Sequence, residues 1–150
     1  MPAFVTFGRV LFAVLFLYSG ATKLFGIPAT AEFIAAKVTI PEVLLPYTAQ
    51  LETATGMPTM QLLAIAVGSF EIISGLMIAL NLAARFFAIL MIIFVAAATF
   101  YFHDFWNQAP PDNAKTLVDA LKNLSLIGAL FIIAGYGRSA RSAVEPAYEV

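Results

Sequence analysis

Arg9, Lys23 and Glu71 are ionisable residues set inside long apolar runs, and chemistry is expected there first. A charged group at the centre of a membrane helix costs about 2.5–3.5 kcal/mol on insertion scales, so it turns inward and finds a partner. Arg9 and Lys23 stand two heptads apart, which puts them on one helical face with Phe16 and Gly20 between them. Gly68, Glu71 and Gly75 share a face of a later run, extended by Ala64 and Ala79. Such a stripe of small residues lets neighbouring helix backbones approach closely. Depth, counted from the ends of the runs, brings Arg9 to within about one turn of Glu71. This predicts an Arg9–Glu71 pair. The pair reads in two ways, as a clamp fixing helix register or as part of a proton or quinol site.

A second group gathers where other runs end. Lys23 closes the first apolar run, His103 and Asp104 close the third, and Lys122 and Asn123 open the fourth. Ammonium donors, a titratable imidazole and a carboxylate to orient it suit an anionic or carbonyl-bearing ligand. Tyr101, Phe105 and Trp106 add flat apolar walls of the kind a quinone headgroup would meet on entering from lipid. The plainer reading is anchoring: lysines near helix ends snorkel, and His and Trp favour interfaces. His103 is the only histidine and there is no cysteine, a poor basis for a metal or haem site. Arg85 reads as an interfacial anchor or loop cap. No glycine-rich nucleotide loop, nucleophile elbow or helical metal-ligand pair is present.

These residues need long apolar elements to hold them. The 150 residues are 61 % apolar and 11 % charged. Soluble domains run nearer about 45–50 % and about 25 %, so hydrocarbon is the expected solvent. A net charge of −1 offers no basic field, and so no nucleic-acid partner is expected. The fold class is an all-α membrane protein, a four-helix transmembrane bundle in a single domain. Its spans run about 4–25, 60–80, 83–102 and 117–136, each near the ~20 residues that cross ~30 Å of hydrocarbon. Asn81-Leu82 makes a tight turn.

Residues 26–59 read as a polar loop carrying Pro28, Pro41, Pro46 and Pro58, with a short interfacial helix over Thr30–Lys37. His103–Thr116, holding Pro110-Pro111, is the second long connection. Four spans put both connections on one side and the termini on the other. Basic residues divide four against four between the two sides. Arg138 and Arg141, just past the last span, favour cytoplasmic termini. The N-terminus from Met1-Pro2 lacks a basic leader, so the first span is expected to be uncleaved and to serve as the insertion signal. Gly135-Tyr136-Gly137 reads as a helix stop.

Several stretches resemble the DoxX family of small four-helix membrane proteins. They run in order: Gly8-Arg9, Tyr18-Ser19-Gly20-Ala21-Thr22-Lys23-Leu24, Glu71-Ile72-Ile73-Ser74-Gly75-Leu76 and Ala84-Arg85. Ala98 through Trp106, Leu121-Lys122-Asn123-Leu124-Ser125-Leu126-Ile127-Gly128 and the Gly135 stop follow. The family usually has an aspartate shortly after that stop. Arg138-Ser139-Ala140-Arg141-Ser142 stands here instead, so no role for that acid carries over.

The resemblance implies a bacterial or archaeal inner-membrane protein, similar to the membrane subunit of thiosulfate:quinone oxidoreductase or to membrane partners in thiol-redox complexes. On that basis Arg9 and Glu71 would handle protons. His103, with Lys23, Lys122, Asn123 and Trp106, would bind a quinone, the one cofactor implied. The alternative is a non-catalytic accessory subunit docking on a larger membrane complex. Expected partners are the lipid bilayer and other membrane subunits or further copies of the chain. A carrier or channel ranks third, since no inverted repeat is evident.

Overall fold

The computed structural model describes residues 3–136. Among these the chain is all-α: α1 (Ala3–Phe25), α2 (Ile27–Ala35), α3 (Leu45–Thr55), α4 (Thr59–Ala79), α5 (Ala84–Phe102) and α6 (Asp112–Tyr136). Short 3-10 turns lie at Glu42–Leu44 and Phe105–Asn107. Helices α1, α4, α5 and α6 are long and apolar enough to cross a membrane. Arg138, Arg141, the Gly137 end of the helix stop and Met1-Pro2 lie outside the described residues.

Two readings of the connections are corrected. Residues 26–59 are not simply a polar loop: α2 overlaps the short helix expected over Thr30–Lys37, and α3 is a further helix. Pro28 and Pro46 fall in the first turns of α2 and α3. There the missing N–H is no loss and the fixed φ favours a helix start. Gly56, left-handed at φ 69°, ends α3. The fourth span begins at Asp112, about a turn and a half before Leu117. Its polar first turns are helical because α6 extends beyond its apolar stretch.

The described residues fall into two compact units, one within Phe16–Ile73 and the other within Met1–Leu15 and Ser74–Val150. In the first, α1 and α4 meet at glycines. A Cβ added to Gly20 would lie 2.5 Å from the carbonyl oxygen of Gly68, and one on Gly68 would lie 3.0 Å from that of Gly20. Only glycine fits at such a backbone-to-backbone approach. The stripe expected on α4 is buried from Ala64 through Gly68 and Glu71 to Gly75.

The second unit contains the α5–α6 hairpin. Ala84, Ala88, Met91 and Val95 recur at helical spacing as the buried stripe of α5, and α6 buries Ala120 and Leu130. Polar bonds lace the hairpin at three levels. Arg85 Nη2 donates to the Gly135 carbonyl at 2.9 Å, capping the end of α6. Asn123 Nδ2 donates to Thr99 Oγ1 at 2.9 Å midway. At the far end Thr116 Oγ1 donates to Gln108 Oε1 at 2.6 Å, and Gln108 Nε2 donates to Asp104 Oδ1 at 3.2 Å. Asn81, at φ 58°, forms the α4–α5 turn, and Leu82 N–H donates to the Met77 carbonyl at 2.9 Å. Ala83 is also left-handed, at φ 47°.

Candidate functional site

Directly beside the glycine contact, Lys23 and Glu71 form an ion pair. Lys23 Nζ donates to Glu71 Oε2 at 2.9 Å and to Oε1 at 3.1 Å. It also donates to Ser19 Oγ at 2.6 Å. The Glu71 side chain is 5 % exposed and that of Lys23 27 %, so the pair is closed at the carboxylate and opens at the ammonium.

Helix geometry explains how residues on opposite sides of the crossing meet. Helices α2 and α3 are too short to span, so α1 and α4 are consecutive spans and run in opposite senses. With Gly20 opposite Gly68, Lys23 and Glu71 each lie three residues beyond the contact. Six residues of rise separate them by about 9 Å along the axes. Side chains in a helix lean toward its N-terminus, and in antiparallel helices that sends these two toward each other. A long lysine closes the remaining gap.

Lys23 is thus a direct cation partner of Glu71, a pairing that spacing alone did not single out. Lys23 lies in the last turn of α1, as expected, and the Gly20–Gly68 contact brings it within reach of Glu71. Arg9 is buried at 6 % exposure, and its Nη2 lies 3.5 Å from Thr6 Oγ1. The shared face of α1 is as expected: Arg9, Ala13, Phe16 and Gly20 are all buried.

Lys23 is thereby separated in role from the remaining predicted binding residues. Its three ammonium protons all have acceptors, in two carboxylate oxygens and the Ser19 hydroxyl. His103, Trp106, Lys122 and Asn123 belong to the hairpin unit. His103 is half-buried at the end of α5, within electrostatic reach of Asp119. Lys122 Nζ donates to Asp119 Oδ1 at 2.9 Å, three residues back on α6. Trp106 packs against Phe105 and Phe100, with ring centroids 5.0 and 5.7 Å apart. Asn123 spends one amide proton on Thr99.

Sequence reading gave no role to Asp119, Ser19 or Ser74. Asp119 accepts from Lys122, and its i,i+3 spacing to Lys122 was a usable signal. Ser19 stands at i,i+4 to Lys23, a spacing that also brings side chains together. Ser74 is fully buried, and its Oγ has no partner among the described residues. No group of three metal-ligating side chains occurs among the described residues.

The family model described as DoxX matches residues 4–104. Lys122 and Asn123 lie beyond that range. Among characterised proteins the chain is similar to inner membrane protein YphA of Escherichia coli (strain K12). The two are 22 % identical over 141 residues, covering 94 % of this chain and 88 % of the relative. No solved structure matches the chain.

Proposed function

The chain belongs to the DoxX family of integral membrane proteins, and from that premise we propose that it is a redox-linked, quinone-interacting subunit of a bacterial inner membrane. The observation that carries this reading is the buried Lys23–Glu71 pair. An ion pair within membrane-spanning helices is costly to bury and marks proton or ligand handling by default. Glu71 is the group that would hold a proton, and Lys23 sets its charge balance. In this role Lys23 is a direct partner of Glu71.

The headgroup would be held at the loop-side end of the hairpin. His103 supplies a donor or acceptor nitrogen, and Trp106 and Tyr101 offer exposed ring faces. Lys122 and Asn123 flank it with an ammonium and the second amide proton. This donor set fits a carbonyl-bearing ring reached from lipid. A quinone, when bound, supplies a lipid-soluble carrier of two electrons and two protons. Electrons would come from a partner subunit or a reduced substrate. The inner-membrane location follows that of YphA, and Arg138 and Arg141 favour cytoplasmic termini.

Quinol titration of the purified protein tests the assignment. Binding in the wild type that weakens in His103→Ala is the expected result. Equal binding by both would remove the headgroup site, and no binding by the wild type would remove the quinone reading.

An accessory, non-catalytic role is the second reading. The outward face of α6 favours it, since Leu121, Ser125, Gly128 and Ile132 lie exposed along one line. A partner copurifying in mild detergent with its own redox centre would support it. Redox activity of the chain alone would count against it.

A further inference from the structure

We infer that Ser19 is a polarised hydrogen-bond donor, and that Ser19–Lys23–Glu71 forms a site for the carbonyl oxygen of a membrane-borne amphiphile. This does not rest on the quinone reading. The Ser19 hydroxyl accepts a 2.6 Å bond from the Lys23 ammonium. Among the described residues its own proton has no acceptor. The nearby hydroxyl of Thr22 turns instead onto the Ser19 carbonyl, at 2.9 Å. Ser19 is half-exposed, on the side where the ion pair opens.

A hydroxyl that accepts from a cation becomes a stronger donor, because hydrogen bonds in a chain polarise one another. In hydrocarbon no bulk water is present to take that proton, so an acceptor from the lipid phase satisfies it.

The charges decide which acceptor fits. Lys23 and Glu71 sum to zero, so the site presents no net field to a phosphate or carboxylate. A neutral carbonyl matches. A Ser–Lys pair at this spacing also suggests a nucleophile with a lysine base. The geometry opposes that use: Lys23 Nζ donates to the Ser19 hydroxyl and to both Glu71 oxygens, so it aims no lone pair at the serine proton. Binding, not acyl transfer, is what this triad can do.

A quinone and a glycerolipid ester both bring such a carbonyl. Two measurements on the full chain in nanodiscs separate them. The first is decylubiquinone binding in ether-linked phosphatidylcholine, which lacks ester carbonyls. The second is the thermal midpoint without quinone, in ester-linked against ether-linked phosphatidylcholine.

If a quinone is the occupant, Ser19→Ala weakens decylubiquinone binding about five- to tenfold, the worth of one hydrogen bond. Ser19→Thr, which keeps the hydroxyl, binds as the wild type. If a lipid ester is the occupant, the wild type melts lower in ether than in ester lipid and Ser19→Ala shows no such difference. Either result supports the site, and the lipid result does so even where the quinone reading fails. Ser19→Ala matching the wild type in both measurements overturns it.

Discussion

Lys23 holds both carboxylate oxygens of Glu71 across the point where Gly20 and Gly68 bring α1 and α4 together. Removing one partner leaves the other charge in a low-dielectric site. Glu71→Gln or Lys23→Met alone is expected to cost about 3–5 kcal/mol, with Lys23→Met nearer the upper end because it strands the less exposed group. The double variant is expected to lose less than either single one. Denaturant unfolding in detergent checks this, and a double variant as unstable as the sum of the singles would show the pair to be uncoupled.

Gly20→Ala places a methyl group 2.5 Å from the Gly68 carbonyl oxygen, and backbone cannot yield as a side chain would. The helices must separate, at about 1–3 kcal/mol for overpacking. Gly8→Ala is the control on the same helix, since nothing lies within 4 Å of its Cβ. Thermal midpoints in detergent are expected to fall for Gly20→Ala and hold for Gly8→Ala. Equal midpoints would show that the contact does not set the register.

These two predictions mark the boundary of what the sequence discloses. Composition and run length are enough for four membrane-length helices, because hydrocarbon thickness fixes how many apolar residues a span needs. The inward face of α1 through Arg9, Phe16 and Gly20 follows from helical period alone. The partner of Glu71 does not follow. Two antiparallel helices of known length can slide by several residues, and only the Gly20–Gly68 contact selects one register. Gly20 and Gly68 were both visible as small residues, but which pair of glycines would touch is a property of the packed state. Helix α3 and the first turn of α2 were obscured for a different reason. Proline reads as a breaker unless its place in the first turn is already known.

The hairpin allows a contrast between a shielded polar bond and an exposed ion pair. Asn123→Ala removes the amide donor to Thr99 between α5 and α6. Interhelical hydrogen bonds of this kind average about 0.6 kcal/mol and reach about 1.7. Lys122→Ala removes a pair whose ammonium side chain is 69 % exposed, and such pairs contribute about 0–1 kcal/mol. Asn123→Ala is therefore expected to lower stability at least as much as Lys122→Ala, and Thr99→Val to add little once Asn123 is gone. Double-mutant unfolding measures the coupling. Full additivity of Asn123→Ala and Thr99→Val would rule the bond out as a stabilising link.

Glu52 gives the chain an acid-sensitive joint where α3 hands over to α4. Its Oε1 accepts from the Thr59 backbone N–H at 2.6 Å and from the Thr59 hydroxyl, capping the first turn of α4. The Thr59 hydroxyl, then the Thr59 amide, hold the Glu52 carboxyl below the usual carboxylate range. A group with a lowered folded-state pKa binds its proton more readily when unfolded. Its stabilisation is complete above the ordinary carboxylate pKa and is lost as pH falls through the lowered value. Amide exchange at Thr59, expressed as a protection factor, reports this directly. Protection is expected to stay level from neutral pH to the ordinary carboxylate range, to decline from there, and to be lost once pH has fallen through the lowered value. In Glu52→Gln it is expected to be lower at neutral pH and insensitive to acid. Identical profiles for the two proteins would show that the cap carries no charge-dependent part.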